Sequence, residues 1–441
     1  MKETASNAAI SIFKAAVKAV QPQVLMPAYI KKGNGTLQIG GDKLLVNSFD
    51  SIYLLSVGKA ASAMAWEAEK IIGNSLTAGL VVTKYQHSQP LRYCKTIEAG
   101  HPVPDENSLA AAHAINNFLA RLTDKSLLLC CISGGASALI ADCAEGIPLA
   151  DMQAVSSLLL HCGADIHEIN TVRKHLSFLK GGQLVRLAKG AAVYSLIISD
   201  VAGDDTSIIA SGLTAADPST FNDALTVLDK YGLTQKISTT ARAHLLKGIN
   251  GDVGETPKPG DALFAKVHNQ TIGNNQLALR AAALLATALG FTVTTVDGLL
   301  TGEARHAGER FVQILTSYTG KRPACFLAGG ETTVTIRGTG KGGRNQEFAL
   351  AALRKLIAAG IAPKYWPVIL SAGTDGTDGP TEAAGAIVNI SNFLHVLKTP
   401  EKAIDFLNNN DSFHFFESIG ALINTGTTQT NVMDIVIGLL Y

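Results

Sequence analysis

The 441-residue sequence has few charges, few aromatic residues and few cysteines. Charged residues make up 17% and aromatic residues 6%, and 37 basic residues against 36 acidic ones leave a net charge of +1. This balance offers no basic surface to nucleic acid or to an anionic membrane. No apolar run approaches the roughly 18 residues that a membrane span requires. The composition therefore predicts neither a nucleic-acid-binding nor a membrane-spanning protein.

The six cysteines follow neither a disulfide framework nor the spacing of a metal site. No pair is spaced C-x-x-C, and Cys130 and Cys131 lie within the apolar run LLLCCI. Small buried thiols in a reducing cytoplasm are the expected arrangement. Residues 1–20 place apolar side chains at helical spacing between charges, which predicts an amphipathic helix and not a signal peptide.

Apolar residues (47%) and glycine (42 positions) are abundant. Short, wholly apolar runs end abruptly in glycine and small polar residues, and a helical pattern usually follows. Runs of this kind are typical of parallel strands covered by helices on both faces. They lie at 52–70, 127–140, 194–205 and 365–379, with a related run at 325–336. We predict an α/β fold with Gly-rich loops at the carboxyl ends of strands, where such sheets bind ligands.

The chain is too long for one ordinary core, so two domains are expected. The stretch GINGDVGETPKPGDALF at 248–264 is rich in Gly and Pro and has no periodicity. It divides the chain into predicted domains at 1–250 and 251–441. Helices are predicted at 107–121, 150–162 and 275–289.

The segment GTGKGGRNQE begins at Gly338 and contains the letters of a dinucleotide fingerprint, G-x-G-x-x-G. Such a fingerprint should follow a buried strand and precede an acidic residue by about 20 positions. Here the preceding TTVTIRG alternates like a half-exposed hairpin strand, and the later LIAAGIA has no carboxylate. A P-loop is also excluded, because neither Gly340-Lys341 nor Gly58-Lys59 is followed by Ser or Thr.

The same segment still has the composition of an anion site. Lys341 and Arg344 precede a helix predicted to begin near Asn345, whose first N–H groups would face an anion. Gly340 and its neighbouring glycines would let the backbone approach phosphates. We predict that the loop binds nucleotide phosphates; a hairpin turn with solvated charges is the alternative.

Two other strand-end loops have similar chemistry. Lys59, between a strand and a helix, can place a point charge on a transferring phosphoryl group. Ser133, Gly134 and Gly135 precede another helix in the manner of a phosphate cradle. A solvated lysine and a tight structural turn are the alternatives. His101, in GHPVPDE, is expected to pack within its loop.

Carboxylates follow two further runs, at Asp200, Asp204 and Asp205 and at Asp375 and Asp378. Magnesium in proteins is held by one or two carboxylates together with substrate oxygens. The pattern predicts a Mg²⁺ site that uses Asp375, Asp378 and Asp204. Helix capping is the alternative for Asp204, Asp205 and Asp378.

A possible binding group for a small carboxylate lies in INTVRKHLS. Arg173 follows Asn170 by three residues, and an arginine can hold a carboxylate through two parallel N–H bonds. A solvated helix face is the alternative.

Together, these motifs resemble the class II glycerate kinases, or glycerate 2-kinases, whose C-terminal half contains the MOFRL domain. The matching motifs run almost from end to end of the chain: GKAA (58–61), GHPVPDE (100–106), SGGASAL (133–139), INTVRKHLS (169–177), ISDVAGDD (198–205), SGLTAADPS (211–219), IGNN (272–275), LTGEAR (300–305), AGGETTVTIRGTGKGGRNQE (328–347) and AGTDGTDGP (372–380). The family's tail loop reads T-G-P-T-G-T-N-V. Here Thr427 and Gln429 replace the Pro and the Gly, whereas Asn431, Val432 and Asp434 are retained.

The resemblance implies ATP-dependent, Mg²⁺-requiring phosphorylation of D-glycerate at its 2-hydroxyl, giving 2-phosphoglycerate. It also implies a Rossmann-like N-terminal domain and an active site in the cleft between two α/β domains. The lysine and arginine considered important in the family fall on Lys59 and Arg344, which would neutralise charge on the transferring group. Glu331 is assigned to the nucleotide site, and Asp200 is the candidate that orients or deprotonates the hydroxyl.

The implied protein is a cytoplasmic enzyme whose partners are ATP and D-glycerate, with neither nucleic acid nor a membrane. Monomer and homodimer both remain open. Two other functions are considered: a hydroxypyruvate reductase using a nicotinamide cofactor, and a non-catalytic metabolite-binding protein of the same fold. The missing fingerprint context argues against the first, and the clustered Lys, Arg and Asp residues argue against the second.

Overall fold

The computed structural model describes residues 2–360, 366–390 and 400–441, and these form two compact domains. The N-terminal domain comprises Pro22–Ile272, and the C-terminal domain comprises Met1–Gln21 together with Gly273–Tyr441. Tyr365, at which the run 365–379 begins, lies outside the described residues.

The N-terminal domain is built on a six-stranded sheet. In spatial order, its strands are β6 (Cys94–Ala99), β5 (Ala78–Lys84), β4 (Ser51–Val57), β7 (Ser126–Ser133), β8 (Ala192–Ile198) and β9 (Val267–Gly273). The pairs from β6 to β8 are parallel, as predicted. Numbered along the chain, the order is third, second, first, fourth, fifth and sixth, which is the order of a Rossmann sheet. Its switch point, where the winding direction reverses, lies between β4 and β7.

Helices and a small antiparallel sheet complete this domain. The small sheet consists of β1 (Ile30–Gly33), β2 (Thr36–Ile39) and β3 (Asp42–Leu45). The helices are α2 (Pro22–Tyr29), α3 (Ala61–Ile72), α4 (Glu106–Leu119), α5 (Ala136–Leu139), α6 (Leu149–His161), α7 (Ile166–His175), α8 (Gln183–Leu187), α9 (Phe221–Lys230) and α10 (Thr239–Ile249). A second apolar cluster, separate from the sheet core, joins α6 and α7 to α9 and α10. This cluster fixes the two helices that border the cavity described below.

The C-terminal domain has a mixed six-stranded sheet. In spatial order, its strands are β10 (Thr292–Thr295), β11 (Ala324–Gly330), β15 (Asp434–Leu440), β12 (Val368–Gly373), β13 (Gly385–Val388) and β14 (Leu422–Ile423). Among the described residues of this sheet, β10 and β11 form the only parallel pair, and the other pairs are antiparallel. The runs at 325–336 and 365–379 contain β11 and β12, which run in the same direction but are not neighbours, because β15 lies between them and runs antiparallel to both. Its first residue, Asp434, pairs with Gly330 on one side and Gly373 on the other.

The helices of the C-terminal domain include the first helix of the chain. They are α1 (Lys2–Ala19), α11 (Asn275–Ala288), α12 (Ala304–Ser317), α13 (Arg344–Ala358), α14 (Pro400–Asn408) and α15 (Ser412–Ser418). The helices predicted at 1–20, 107–121, 150–162 and 275–289 correspond to α1, α4, α6 and α11. No described helix is long and apolar enough to cross a membrane.

The domain boundaries differ from the predicted division at 250/251. Helix α1 packs against α11 and along β12 and β15, so the start of the chain belongs to the C-terminal domain. Strand β9 joins the N-terminal sheet, which extends that domain to Ile272. A boundary placed on Gly and Pro content alone could not anticipate either long-range pairing.

Candidate active site

The carboxyl ends of β4, β7 and β8 bring together several predicted site residues of the N-terminal domain. Lys59 donates its backbone N–H to the carbonyl of Gly134 at 2.9 Å, and Ala60 donates to Oγ of Ser133 at 3.0 Å. Gly58 has a φ of +124°, and a Cβ there would collide with Ser133. The turns that follow β4 and β7 are therefore bonded to each other, and glycine is required where they meet.

Asp200 and His101 lie against the turn formed by Ser133, Gly134 and Gly135. The carboxylate of Asp200 occupies the space into which a Cβ of Gly134 would project. A Cβ on Gly135, whose φ is +84°, would lie 2.9 Å from Nε2 of His101 and 3.2 Å from Cγ of Lys59. The predicted grouping of Lys59, the turn and Asp200 thus occurs at the switch point of the sheet. His101, expected only to pack within its loop, belongs to the same group.

Beside this turn is a cavity of about 610 Å³. Arg173, at the end of α7, lines it and is half-buried. Burial lowers the pKa of Arg173. Within the part of the chain that the structure describes, its guanidinium makes no hydrogen bond and no ion pair. A half-buried cation without a partner is costly unless an anion binds it, so the cavity offers a site for an anionic group.

Asn170 does not join Arg173 in this role. Its Oδ1 accepts a hydrogen bond from Oγ of Ser211 at 2.9 Å, and its amide donates to the carbonyl of Ile208 at 3.4 Å. The hydroxyl of Ser211 lies 2.9 Å from that of Ser137. This buried network ties α7 to the segment after β8, so the Asn170 side chain, predicted to bind a carboxylate with Arg173, is already engaged.

A buried ion pair that was not predicted from the sequence also lines the cavity. Lys180 bonds to the carboxylate of Asp142 and donates to the carbonyl of Ile140 at 2.9 Å. The same carboxylate accepts the backbone N–H of Leu179 at 2.9 Å. With its partners about forty positions apart, the pair leaves no local sequence signal. It fixes the inner wall of the cavity.

In the C-terminal domain, the Gly-rich loop is held by the turn that follows α14. Gly340 donates its N–H to the carbonyl of Asn409 at 3.0 Å, and Lys341 donates to Oδ1 of Asp411 at 2.8 Å. Oδ1 of Asn410 accepts the N–H groups of Arg337 (2.7 Å) and Gly338 (3.0 Å). The prediction that these backbone groups are available to phosphates is corrected, because side chains and one backbone carbonyl about 70 positions later already accept their hydrogen bonds.

The loop also differs from the predicted hairpin in its backbone and side chains. Between residues 331 and 343, which are all described, the chain forms one isolated bridge, from Thr333 to Glu303, and no hairpin strand. The ammonium of Lys341 lies 4.5 Å from the ring centre of Phe413, within the range of a cation–π interaction.

Asp378 caps helix α13. Its two carboxylate oxygens accept the backbone N–H groups of Asn345 at 3.0 Å and Gln346 at 2.8 Å. Burial, together with the nearby Asp434, raises the pKa of Asp378 to about 7, against the lowering effect of the two N–H donors. Of the two alternatives for Asp378, the structure supports the cap. The N–H of Asn345, predicted to face phosphate, is engaged in it.

Asp375 and Asp204 occupy turns. Oδ1 of Asp375 accepts both the N–H and the hydroxyl of Thr377 at 3.1 Å. Asp204, after β8, has a left-handed backbone with a φ of +56°. No group of three or more His, Cys, Asp or Glu residues in the described chain is placed to hold a metal ion.

Arg344, the first residue of α13, is held by two carboxylates. It bonds to Asp434 through Nε at 2.5 Å and Nη2 at 3.0 Å, and its Nη1 lies 2.7 Å from Oε1 of Glu331. Burial acts to lower the pKa of Arg344, but the two carboxylates outweigh it and raise that pKa. Asp434 is buried, whereas Glu331 is exposed. From the sequence, Asp434 is identified only as part of the tail motif.

Comparison with known proteins identifies the family. Residues 8–246 match a domain of unknown function, DUF4147, and residues 324–434 match the MOFRL family. The chain is 40% identical to the glycerate 2-kinase of Pyrococcus horikoshii over 96% of this chain and 95% of that protein. The chain belongs to the glycerate 2-kinase family. The crystal structure of the glycerate kinase of Thermotoga maritima, 39% identical, covers 100% of both chains with a TM-score of 0.84.

One relative of this chain is named for a different activity. A protein of Agrobacterium vitis, provisionally named hydroxypyruvate reductase, is 39% identical over 87% of this chain and 85% of its own length. Its similarity extends over less of the chain than that of the kinases.

The tail loop of this chain, which has Thr427 and Gln429 in place of the Pro and Gly of the family pattern, is held by hydrogen bonds. Gln429 adopts a left-handed backbone with a φ of +61°, a conformation that favours the glycine of the pattern. Oγ1 of Thr428 donates to the carbonyl of Thr374 at 2.6 Å, and Oγ1 of Thr430 donates to that of Val20 at 2.7 Å. Threonine hydroxyls therefore tether the loop within the C-terminal domain.

Proposed function

We propose that this protein is an ATP-dependent glycerate 2-kinase that transfers a phosphoryl group to the 2-hydroxyl of D-glycerate. One observation carries the proposal: Lys59, the Ser133–Gly135 turn and Asp200 meet at the switch point of a Rossmann-order sheet, beside a cavity that Arg173 lines. Phosphoryl transfer depends on positioning and on neutralising charge, and these residue types supply both. The family relatives named as glycerate kinases support the same activity.

Within this proposal each residue of the N-terminal domain has a defined role. Arg173 pairs with the carboxylate of glycerate, because its guanidinium has no described partner. The turn at Gly134 and Gly135 lets the backbone approach the phosphates, and Lys59 places its ammonium on the transferring group. Asp200, packed on Gly134, orients the hydroxyl or takes its proton.

In the C-terminal domain, the proposal assigns a cationic role to Arg344. Asp434 fixes its orientation through two hydrogen bonds and stays buried. Glu331 is exposed, so it is the partner that an incoming phosphate would displace. Of the nucleotide contacts predicted here, the Lys341 side chain remains a candidate, since the N–H groups of Gly340 and Asn345 are already engaged.

The proposal includes Mg²⁺ as the partner of ATP. Asp200 fits such an ion, since it packs against Gly134 of the phosphate turn, and Asp204 follows it on the same segment after β8; Mg²⁺ needs only one or two carboxylates from the protein. Asp378 fits less well, because both its oxygens cap α13. When bound, the ion would neutralise charge on the phosphates.

The proposed setting is the cytoplasm, which agrees with six free cysteines.

The direct test combines the purified protein, Mg²⁺-ATP and D-glycerate. Phosphorus NMR of the product should show 2-phosphoglycerate. Formation of 3-phosphoglycerate would contradict the assigned position, and the absence of any phosphorylated acid would contradict the kinase activity.

The name of the Agrobacterium relative makes reductase activity the second candidate. Incubation with NADH and hydroxypyruvate should leave the NADH absorbance unchanged, and a steady decrease would favour that alternative.

A further inference from the structure

The cavity beside Arg173 is much larger than a three-carbon acid requires. Its volume of about 610 Å³ lies within the range of roughly 300–1,000 Å³ that is typical of sites for drug-sized ligands and cofactors. If glycerate occupied only the end near Arg173, most of the cavity would remain for a second molecule. The proposed reaction has one other substrate, the nucleotide.

The remaining wall is formed by α6 and the loop at 101–104, and most of its exposed area is apolar. Met152, Ser156 and Leu160 recur every four residues on one face of α6, and Val103 and Ile140 line the cavity with them. An apolar wall with a few hydroxyls suits a purine base and its sugar, which present flat apolar faces and polar edges.

The two parts of this wall are joined by a hydrogen bond. The amide of Gln153 donates to the carbonyl of Pro104 at 2.8 Å, which holds the loop at 101–104 beside the helix. Because α6 and α7 are also fixed by their shared apolar cluster, the space between them is preformed.

The position in the fold agrees with a nucleotide ligand. Gly135, at the inner end of the cavity, belongs to the turn at the switch point between β4 and β7, where sheets of this order bind nucleotides. By contrast, the loop at 337–341 in the C-terminal domain already donates its backbone N–H groups to the turn at 409–411.

We propose that the α6 face at Met152, Ser156 and Leu160 binds the nucleoside part of ATP and directs the phosphates toward Gly134 and Gly135. This inference rests on the proposed kinase function and adds where the nucleotide binds. It requires that filling the cavity at α6 weaken nucleotide binding without affecting the acid.

Ser156→Trp provides the test, because Ser156 lines the cavity and is only half-buried. The matched control is Ala154→Trp, on the exposed side of the same helix and away from the cavity. Ser156→Trp should raise KM for ATP at least tenfold and leave KM for D-glycerate within about twofold. The control should change neither constant. A fluorescent ADP analogue, titrated without glycerate, should show the same difference in Kd.

The outcomes separate this inference from the kinase proposal. If the wild type phosphorylates glycerate but Ser156→Trp leaves KM for ATP and analogue affinity unchanged, the nucleoside site is wrong and the kinase assignment stands. A selective rise in KM for D-glycerate would assign the cavity to the acid. If the wild type neither binds the analogue nor forms product, the proposed function itself fails. Should Ser156→Trp unfold, Leu160→Glu at an exposed position replaces it, with the same expectations.

Discussion

At the scale of single residues, Arg344 allows the contributions of a buried and an exposed ion pair to stability to be compared, because one carboxylate of each kind contacts its guanidinium. Asp434 is buried and makes two hydrogen bonds to the guanidinium, whereas Glu331 is exposed and forms an ion pair with Nη1. We expect Asp434→Asn to lower the free energy of unfolding by about 2 kcal/mol, because a half-buried cation loses its charged partner. Urea denaturation followed by circular dichroism measures this loss.

Glu331→Gln is the matched comparison. An exposed ion pair contributes less than about 1 kcal/mol, so this variant should unfold close to the wild-type midpoint. Equal destabilisation by the two substitutions would contradict the distinction between them.

Lys59 gives the second prediction. Its backbone is bonded to Gly134 and its side chain is half-buried at the phosphate turn. Lys59→Ala should lower kcat for glycerate phosphorylation by at least about 100-fold, since the transferring group loses a point charge, and leave the unfolding midpoint nearly unchanged. Lys59→Arg should restore only part of the activity, because a planar fork cannot replace a compact ammonium. Near-normal turnover of Lys59→Ala would remove its catalytic role.

The third prediction concerns pH and Asp378. Burial, with the neighbouring Asp434, raises the pKa of this carboxyl to about 7, so the folded state keeps a proton that the unfolded state releases near pH 4. Stability should therefore fall as pH rises from about 5 to 7, by about 2 kcal/mol in total. Asp378→Asn has no such proton, so its free energy of unfolding should vary less over this range. Parallel slopes for wild type and variant would show that Asp378 does not titrate there.

How far single residues could be predicted depends on where their partners lie in the chain. The sequence predicts that Lys59, Gly134 and Asp200 lie near one another. Each follows a buried strand, and the carboxyl ends of parallel strands meet at one edge of the sheet. Asp434 and Asp378 received their observed roles from partners 90 and 33 positions away, respectively. No local pattern specifies contacts of that kind, so capping could only be stated as an alternative.

At the scale of elements, the Gly-rich loop depends on Asn410. Its side chain accepts the N–H groups of Arg337 and Gly338 and donates to the carbonyl of Thr335 at 3.3 Å and to Glu347 at 2.9 Å. Asn410→Ala should release the loop and increase trypsin cleavage after Arg337 about tenfold. Mass spectrometry of a digestion time course measures the rate.

Asn409→Ala is the control for this loop. Among the described residues, its side chain accepts only the N–H of Thr339, while its backbone carbonyl, which accepts from Gly340, is kept. Cleavage should therefore increase much less than in Asn410→Ala. Equal rates in the two variants would show that Asn410 is not the main anchor.

The strands also show what periodicity can and cannot predict. Apolar runs correctly located β4, β7, β8, β11 and β12, because strands covered on both faces bury every side chain. They do not encode strand direction. Strand β15, the last strand of the chain, lies between β11 and β12 and runs antiparallel to both, which makes the sheet mixed.

At the scale of the whole molecule, the chain begins in the domain where it ends. Helix α1 buries Ile12, Phe13 and Ala16 in the C-terminal domain, although about 250 residues of the N-terminal domain follow it. The boundary prediction failed here because an amphipathic pattern reports that a helix has an apolar face, not which domain covers it.

This arrangement leads to the last prediction, which uses the two tryptophans of the chain as reporters. Trp66 lies in the N-terminal domain and Trp366 in the C-terminal domain. Phe13→Ala leaves a cavity in the C-terminal core and should cost about 3 kcal/mol there. In a Trp66→Phe background, fluorescence from Trp366 should therefore show a lower urea midpoint. In a Trp366→Phe background, the midpoint reported by Trp66 should stay unchanged. If Phe13→Ala shifts only the Trp66 transition, α1 stabilises the N-terminal domain and the observed division is wrong; equal shifts in both would mean that the domains unfold as one cooperative unit.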